Sequence, residues 1–332
     1  MPEEQRELQT PSTASGAALG DAVQSTAQAG TPANHLLAVL RAVRPRQWPK
    51  NLIVFMAFLF SIDDKWQLSD TSSWLDLLGW SVLTLVVFCL VSSADYLVND
   101  VVDRESDRQH PRKRKRPIAA GQLSVRAALI WAVALAAVAI GGAFAIEWSV
   151  GAVVSGYLVM MIAYTLWLKH IVLLDMMVIG AGFVLRAMAG GLAIDVPISP
   201  WLYVVTALGA LFLVVNKRRA EIMLLKESSA KHSPILEEYS PELLGQIGAL
   251  VTASTLIAYG LYTFTAANRP DHNTMMLTIP FVLYGLLRYL YLVDKHGEGG
   301  SPEDVLLKDR PLQVNILLWV ATAVTVLVAF RD

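Results

Sequence analysis

The chain reads as an all-α protein, a polytopic membrane bundle of about nine transmembrane helices, and three observations lead there. Of its 332 residues, 55% are hydrophobic and only 17% charged, and the mean hydropathy of +0.47 is beyond what a water-soluble domain sustains. The apolar residues gather into repeated runs near the ~20 residues needed to cross a ~30 Å hydrocarbon core. Lysine and arginine also fall almost wholly on alternate connections between those runs. The formal net charge of −1 gives no support to nucleic-acid binding. The single cysteine, Cys89, lies inside an apolar run, which excludes an intramolecular disulfide framework and reads as a small buried residue.

Residues 1–34, rich in Ala, Ser, Thr, Gly, Gln and Pro, have neither the apolar core of a signal peptide nor helical periodicity, so a disordered tail is expected. Residues 35–332 are expected to form one nine-helix domain. Its apolar runs are Asn51–Ile62, Trp74–Val98, Ala127–Ile146, Ser149–Leu168, Ile171–Ile194, Trp201–Val215, Leu244–Ala267, Met275–Val293 and Leu312–Phe330. The first is too short to cross alone and must borrow from its flanks, starting near Trp48. With nine crossings, one side collects Arg41, Arg44, Arg46, Lys50, the Arg104–Arg126 cluster, Lys169, Lys217–Arg219, Lys226, Lys231, Lys295, Lys308 and Arg310. The other holds Lys65, Arg269 and Arg331. This asymmetry predicts a cytoplasmic N-terminus and an outside C-terminus in the plasma membrane.

The end of the second run carries the densest chemistry, Asn99-Asp100-Val-Val-Asp103-Arg-Glu-Ser-Asp107, followed by His110 and the basic Arg112–Arg116. Asn99, Asp103 and Asp107 stand at i, i+4 and i+8, so a continuous helix presents three oxygen ligands on one face at steps of about 6 Å. Hard oxygens in this arrangement suit Mg²⁺, which takes one or two carboxylates together with waters and substrate phosphates. A solvated acidic helix end is the alternative, but carboxylates at a membrane boundary are costly unless paired, metal-bound or lining a polar cavity. The basic run serves equally as an orientation signal, with one or two members facing the acids.

This segment resembles the first aspartate-rich motif, NDxxDxxxD, of the UbiA superfamily, polytopic all-helical Mg²⁺-dependent prenyltransferases, and Arg116-Pro-Ile through Gly121 extends the likeness. Within the superfamily the closer similarity is to the branch that joins phosphoribosyl pyrophosphate to a polyprenyl (decaprenyl) phosphate. That similarity runs from about Arg44 to the end and includes Arg44-Pro-Arg46-Gln-Trp48-Pro-Lys50-Asn51, Leu168-Lys169-His170, Leu185-Arg186, Gly190-Gly191, Lys217-Arg218-Arg219-Ala-Glu221 and Pro302-Glu303-Asp304 through Arg310. The resemblance implies a UbiA-like fold and phosphoribosyl transfer to the lipid phosphate with release of pyrophosphate, yielding a precursor for cell-wall arabinan. It also implies Mg²⁺ on Asn99, Asp103 and Asp107 as the catalytic group.

The informative departure follows the sixth run. Typical members carry a second motif there, DxxxD, whereas this chain reads Lys217-Arg-Arg-Ala-Glu221. One acid is lost and Lys217 and Arg218 are gained, with Arg219 as a further candidate, which suits phosphate oxygens better than a second metal. Arg46, Lys50, Arg116 and Lys169 are further candidates for phosphate binding, with Arg44 beside them. Arg186 lies inside an apolar run and needs a partner, a cavity or a phosphate, and Asp175 is a candidate partner some 16 Å along a straight helix. His170 could act as a base, although a phosphate acceptor needs none. Gly190-Gly191 reads as a close-packing pair. Two competing functions are a prenyltransferase joining a prenyl diphosphate to an aromatic acceptor, and a transporter or lipid-binding protein. The missing second DxxxD disfavours the first and the gathering of polar residues at one face disfavours the second. A soluble phosphoribosyltransferase is excluded, because no strand-rich α/β pattern with a phosphate loop is present.

Overall fold

The computed structural model describes residues 32–62, 65–67, 69–226, 234–265, 271–296 and 302–330. Most of the expected disordered tail, together with Lys231, Arg269 and Arg331 of the charge count, lies outside the described residues. The elements are helical: α1 (Pro32–Ala42), a 3-10 segment (Pro45–Phe55), α2 (Met56–Phe60), α3 (Thr71–Val102), α4 (Arg104–Gln109), α5 (Val125–Ile146), α6 (Trp148–Leu166), α7 (Leu174–Ala193), α8 (Pro200–Lys226), α9 (Pro234–Glu237), α10 (Pro241–Thr265), a 3-10 segment (Asp271–Thr278), α11 (Ile279–His296), α12 (Pro302–Lys308) and α13 (Arg310–Ala329). Among the described residues there is no β-strand, only an isolated bridge between Ile62 and Trp66.

Eight helical segments are long and apolar enough to cross a bilayer, and they coincide with the eight longer runs of the sequence. Their outward faces are apolar: Ile130, Val133, Val159, Leu250 and Leu317 are exposed. That is the reverse of a water-soluble surface and suits lipid as solvent. The helices begin where short polar side chains satisfy free backbone amides. Asp70 accepts from the amides of Ser72 and Ser73 to start α3, Ser124 from Ala127 to start α5, and Glu147 from Ser149 to start α6.

The ninth run takes another form. Its apolar stretch is too short for an α-helical crossing, and the chain instead adopts eleven residues of 3-10 helix from Pro45, followed by the five-residue α2. At ~2.0 Å per residue the 3-10 part advances about 22 Å where an α-helix would give about 16 Å, so the two pieces together approach the ~30 Å needed. Two prolines favour this conformation, since Pro49 inside the segment cannot donate a backbone hydrogen bond. Contacts fix the segment along the depth of the bundle. Trp48 Nε1 donates to Ser93 Oγ, the Asn51 amide lies 3.4 Å from Cys89 Sγ and from Ser92 Oγ, and Lys65 beyond its far end meets Asp195 after α7. Gly190 on α7 makes the approach possible, because a Cβ there would stand 2.1 Å from the Val54 carbonyl oxygen.

One core joins α3, α5, α6 and α7 around Phe88, Val91, Val150, Val154 and Tyr157. A second gathers Phe60, Tyr259, Tyr262, Met275 and Leu327 toward the end remote from the acidic motif. The first core sets the stem of α3, and thereby the position of the acidic residues at its end.

Candidate active site

Asp95, Asn99 and Asp103 succeed one another at four-residue steps down α3, and Asp107 continues the row on α4. The sequence reading expected one uninterrupted helix. The structure closes α3 at Val102, with Asp103 as the joint, but the Asp103 and Asp107 amides still donate to the carbonyls four residues back, at 2.9 and 2.8 Å. The row therefore persists across the joint. Asn99, Asp103 and Asp107 each meet a partner from elsewhere in the chain. Thr165 Oγ1 on α6 donates to Asn99 Oδ1 at 3.4 Å, and Lys169 Nζ, in the short 3-10 turn between α6 and α7, donates to Asp103 Oδ1 at 2.5 Å. Arg116 Nη1 bridges Asp107 Oδ2 at 2.6 Å and Asp100 Oδ1 at 3.0 Å.

Asp100 and Asp107 are 1% and 2% exposed, so their charges stand in a low dielectric and depend on these cations. Arg44 supplies a second donor to Asp100 while its guanidinium lies 5.0 Å from the Tyr96 ring centroid. Arg44 has a left-handed backbone, φ 53°, a strained conformation for a residue with a side chain, and it turns α1 into the 3-10 segment at the point where its guanidinium reaches Asp100.

The second cluster is built on α8. Lys217 Nζ and Glu221 Oε1 are 4.0 Å apart on one helical face, and Arg218 lies 3.2 Å from Glu221 and 3.3 Å from Asp175 at the start of α7. Asp175 also accepts from the Tyr239 hydroxyl at 2.7 Å. Burial, and then the bond to Asp175, push the Tyr239 phenol up to about 12, so it stays a donor. Lys113 stands within electrostatic reach of both clusters. Desolvation by the surrounding protein, and then the charge of Arg116, draws the Lys113 ammonium pKa down, against the opposing pull of Glu221 and Asp107. His110 sits beside it with its Nδ1 accepting from the amides of Arg112 and Lys113, and burial followed by the Lys113 charge holds the imidazole below its ordinary value.

Several predicted residues stand elsewhere. Arg186 is not joined to Asp175. It is buried in the bundle, where Nε donates to Asn51 Oδ1 and Nη2 to Tyr157 OH, each at 2.7 Å, with the rings of Tyr157, Phe183 and Phe88 around the guanidinium. Asp175, too far away along the same helix, is taken by Arg218 and Tyr239. Arg219 points away to Asp294 on α11, since one residue turns it about 100° from Arg218. Arg46 and His170 are exposed, and Lys50 donates to Gln47. Asp95, Asp100 and Tyr164 were missed. Asp95 had a signal, because it extends the same four-residue stripe back by one step.

Among the described residues no three His, Cys, Asp or Glu side chains converge into an all-protein metal cage. The donor chemistry nonetheless suits a hard divalent cation that keeps waters and shares substrate phosphates. Asn99, Asp103 and Asp107 offer oxygen, and Asp100 Oδ2 is a buried carboxylate oxygen without a hydrogen-bond partner.

Comparison with known proteins gives three findings. The model of the UbiA prenyltransferase family matches residues 68–303. The decaprenyl-phosphate phosphoribosyltransferase of Mycobacterium tuberculosis is 38% identical over 291 residues, covering 88% of this chain and 94% of the relative, and that of Corynebacterium glutamicum is 37% identical over 307 residues, covering 90% and 89%. A UbiA homolog from Archaeoglobus fulgidus, solved bound to GPP and Mg²⁺, superposes with a TM-score of 0.66 at 20% identity, covering 87% of this chain and 99% of that one, which shows a shared fold.

Proposed function

Since the chain belongs to the UbiA prenyltransferase family, we propose that it transfers the 5-phosphoribosyl group from phosphoribosyl pyrophosphate to a polyprenyl phosphate, releasing pyrophosphate. The observation that carries this reading is the second cluster. Where the family pattern has two acids, Lys217 and Glu221 share a face with Arg218 beside them, and Lys113 brings that cluster into electrostatic reach of Asp107 in the acidic row. A donor with a phosphate at each end needs a cationic pole as well as an acidic one, which a prenyl diphosphate does not. The likeness to proteins named decaprenyl-phosphate phosphoribosyltransferase, along most of the chain, supports the same donor and acceptor.

In this reading Asn99, Asp103 and Asp107 would hold Mg²⁺, which when bound neutralises charge on the departing pyrophosphate. Lys217 and Arg218 bind the 5-phosphate, and Glu221 fixes their side chains. Lys169 and Arg116, now paired to Asp103 and Asp107, orient the pyrophosphate, while Arg44, Arg46 and Lys50 at the entrance of the 3-10 segment receive the lipid phosphate. A lipid phosphate oxygen then attacks ribose C1 from the face opposite the pyrophosphate. The new C1–O bond forms as the old one breaks, and its electron pair leaves on pyrophosphate, with inversion. The acceptor is already anionic, so no base is required, in keeping with the exposed position of His170. The polar groups stand at the basic end of the bundle, which supports a cytoplasmic active site and N-terminus and an outside C-terminus in the plasma membrane.

The test uses purified protein in detergent with a long polyprenyl phosphate and labelled phosphoribosyl pyrophosphate, with and without EDTA. Mg²⁺-dependent transfer of label into an organic-extractable lipid is expected. No labelled lipid, with turnover of a prenyl diphosphate and an aromatic acid instead, would overturn the donor assignment.

A further inference from the structure

We propose that Asp95 forms the sub-site that reads the pentose hydroxyls of the donor; this deepens the phosphoribosyl reading above and rests on it. Asp95 lies one helical turn, about 6 Å, deeper in the bundle than Asn99 on the same stripe of α3. It is 3% exposed, and its Oδ1 has no hydrogen-bond partner among the described residues. A buried carboxylate oxygen left in this state is costly, and a ligand that donates to it would remove the cost.

The surroundings say what kind of ligand. Asp95 faces α6 and α7, with Arg186 from α7, Arg44 from the α1 turn, Lys169 from the 3-10 turn and Tyr157 and Tyr164 from α6 in electrostatic reach. None of these cations forms an ion pair with it within 4.0 Å: Arg186 is held by Asn51 and Tyr157, Arg44 by Asp100 and Lys169 by Asp103. The site therefore offers a strong acceptor with no donor committed to it. A phosphate brings only acceptors to this carboxylate, whereas a neutral vicinal diol supplies two O–H donors, as ribose does to acidic residues in dinucleotide sites. Depth agrees with this assignment. With the pyrophosphate at Asn99 and Asp103, the ribose ring bonded to it extends about one ring-width further, to the level of Asp95.

The competing role is structural, a distant counter-charge for Arg186. The two are separated by measuring how well ribose 5-phosphate and 2-deoxyribose 5-phosphate inhibit labelled transfer by the full-length enzyme, by Asp95→Ala and by Asp95→Asn, with donor KM and kcat recorded for each. Wild-type enzyme should favour the ribose compound by about tenfold. Asp95→Ala should bring that ratio to about one and raise donor KM more than it lowers kcat. Asp95→Asn keeps an acceptor without its charge and should retain a ratio of about threefold. If Asp95→Ala does not fold, the fall in Asp95→Asn carries the test. An undiminished ratio in either variant overturns the proposal, as does a wild-type enzyme that both sugar phosphates inhibit equally. Wild-type protein that transfers no label from phosphoribosyl pyrophosphate overturns the parent reading itself, an outcome distinct from active enzyme with an unchanged ratio.

Discussion

Arg116 ties the loop after the acidic motif to the motif itself, and a double-mutant cycle with Asp107 measures how firmly. Arg116 Nη1 meets Asp107 Oδ2 at 2.6 Å, with the carboxylate side chain 3% exposed and the arginine 23%. Removing one partner of a fully buried pair costs about 3–5 kcal/mol, and the partial exposure of the arginine argues for the lower end, about 3 kcal/mol for Arg116→Met. Asp100 softens the loss, since Arg44 still reaches it. Among the described residues Asp107 has no second cation within 4.0 Å, so most of the penalty falls there. Asp107→Asn should cost less, about 1–2 kcal/mol, because Arg116 keeps Asp100. In the double variant neither charge is stranded, so the total should fall short of the sum by about 1–2 kcal/mol. The assay is SDS-induced unfolding in detergent micelles for all four proteins. Costs that add within about 0.5 kcal/mol would refute the claim that this contact holds the loop. Transfer activity should be lost in the double variant whatever its stability, since a proposed metal ligand and a proposed pyrophosphate contact are both removed.

Asp103→Ala should abolish transfer and remove the Mg²⁺ dependence of donor binding, and activity retained at saturating Mg²⁺ would remove Asp103 from the metal site. Lys217→Ala should raise the donor KM by about tenfold with a smaller change in kcat, the loss expected of one charge-assisted phosphate contact; steady-state kinetics in varied donor decide it. Gly190→Ala would place a methyl group 2.1 Å from the Val54 carbonyl, so a loss of about 1–3 kcal/mol is expected on unfolding, and a neutral effect would mean that the 3-10 segment is free to shift. His110 is held below its ordinary pKa by burial and by Lys113, so as pH falls through about 6.5 the unfolded chain takes up a proton first and stability declines toward the folded value. Melting temperature should fall between pH 7.5 and 5.5 in wild-type protein, and by less in His110→Gln.

The bundle was legible because lipid imposes a length and a polarity on every crossing, and eight of the nine runs met both requirements as α-helices. The remaining run, Asn51–Ile62, was visible as an apolar stretch, but its form was not. Hydropathy counts residues, while the depth crossed depends on rise per residue, and Pro45 and Pro49 select the longer rise. The acidic row was legible for a related reason, since a four-residue step fixes a helical face whatever surrounds it. Its partners were not, because Lys169 and Arg44 come from 66 and 56 residues away and only packing brings them in. Arg186 shows the error that results. A candidate partner was sought on its own helix, and the structure instead supplies Asn51 from 135 residues away and Tyr157 from the neighbouring helix.

The charges gathered at this end also constrain how the site can work. Four cations of the site are already paired to its carboxylates: Arg44 and Arg116 to Asp100, Arg116 also to Asp107, Lys169 to Asp103, and Arg218 to Asp175 and Glu221. Beside the acidic row these cations are therefore committed before a donor that carries a pyrophosphate and a second phosphate arrives. Each anionic oxygen that enters must either release a cation from an internal carboxylate or arrive with a counterion. Lys169 and Arg116 are positioned for the first, because turning toward a pyrophosphate leaves Asp103 and Asp107 open to a hard divalent cation. Donor binding and metal binding are thus expected to be linked through the same two carboxylates, each strengthening the other by the same factor. On the proposed reading the lipid phosphate meets Arg44, Arg46 and Lys50, cations outside that exchange apart from Arg44, so its affinity should depend far less on Mg²⁺.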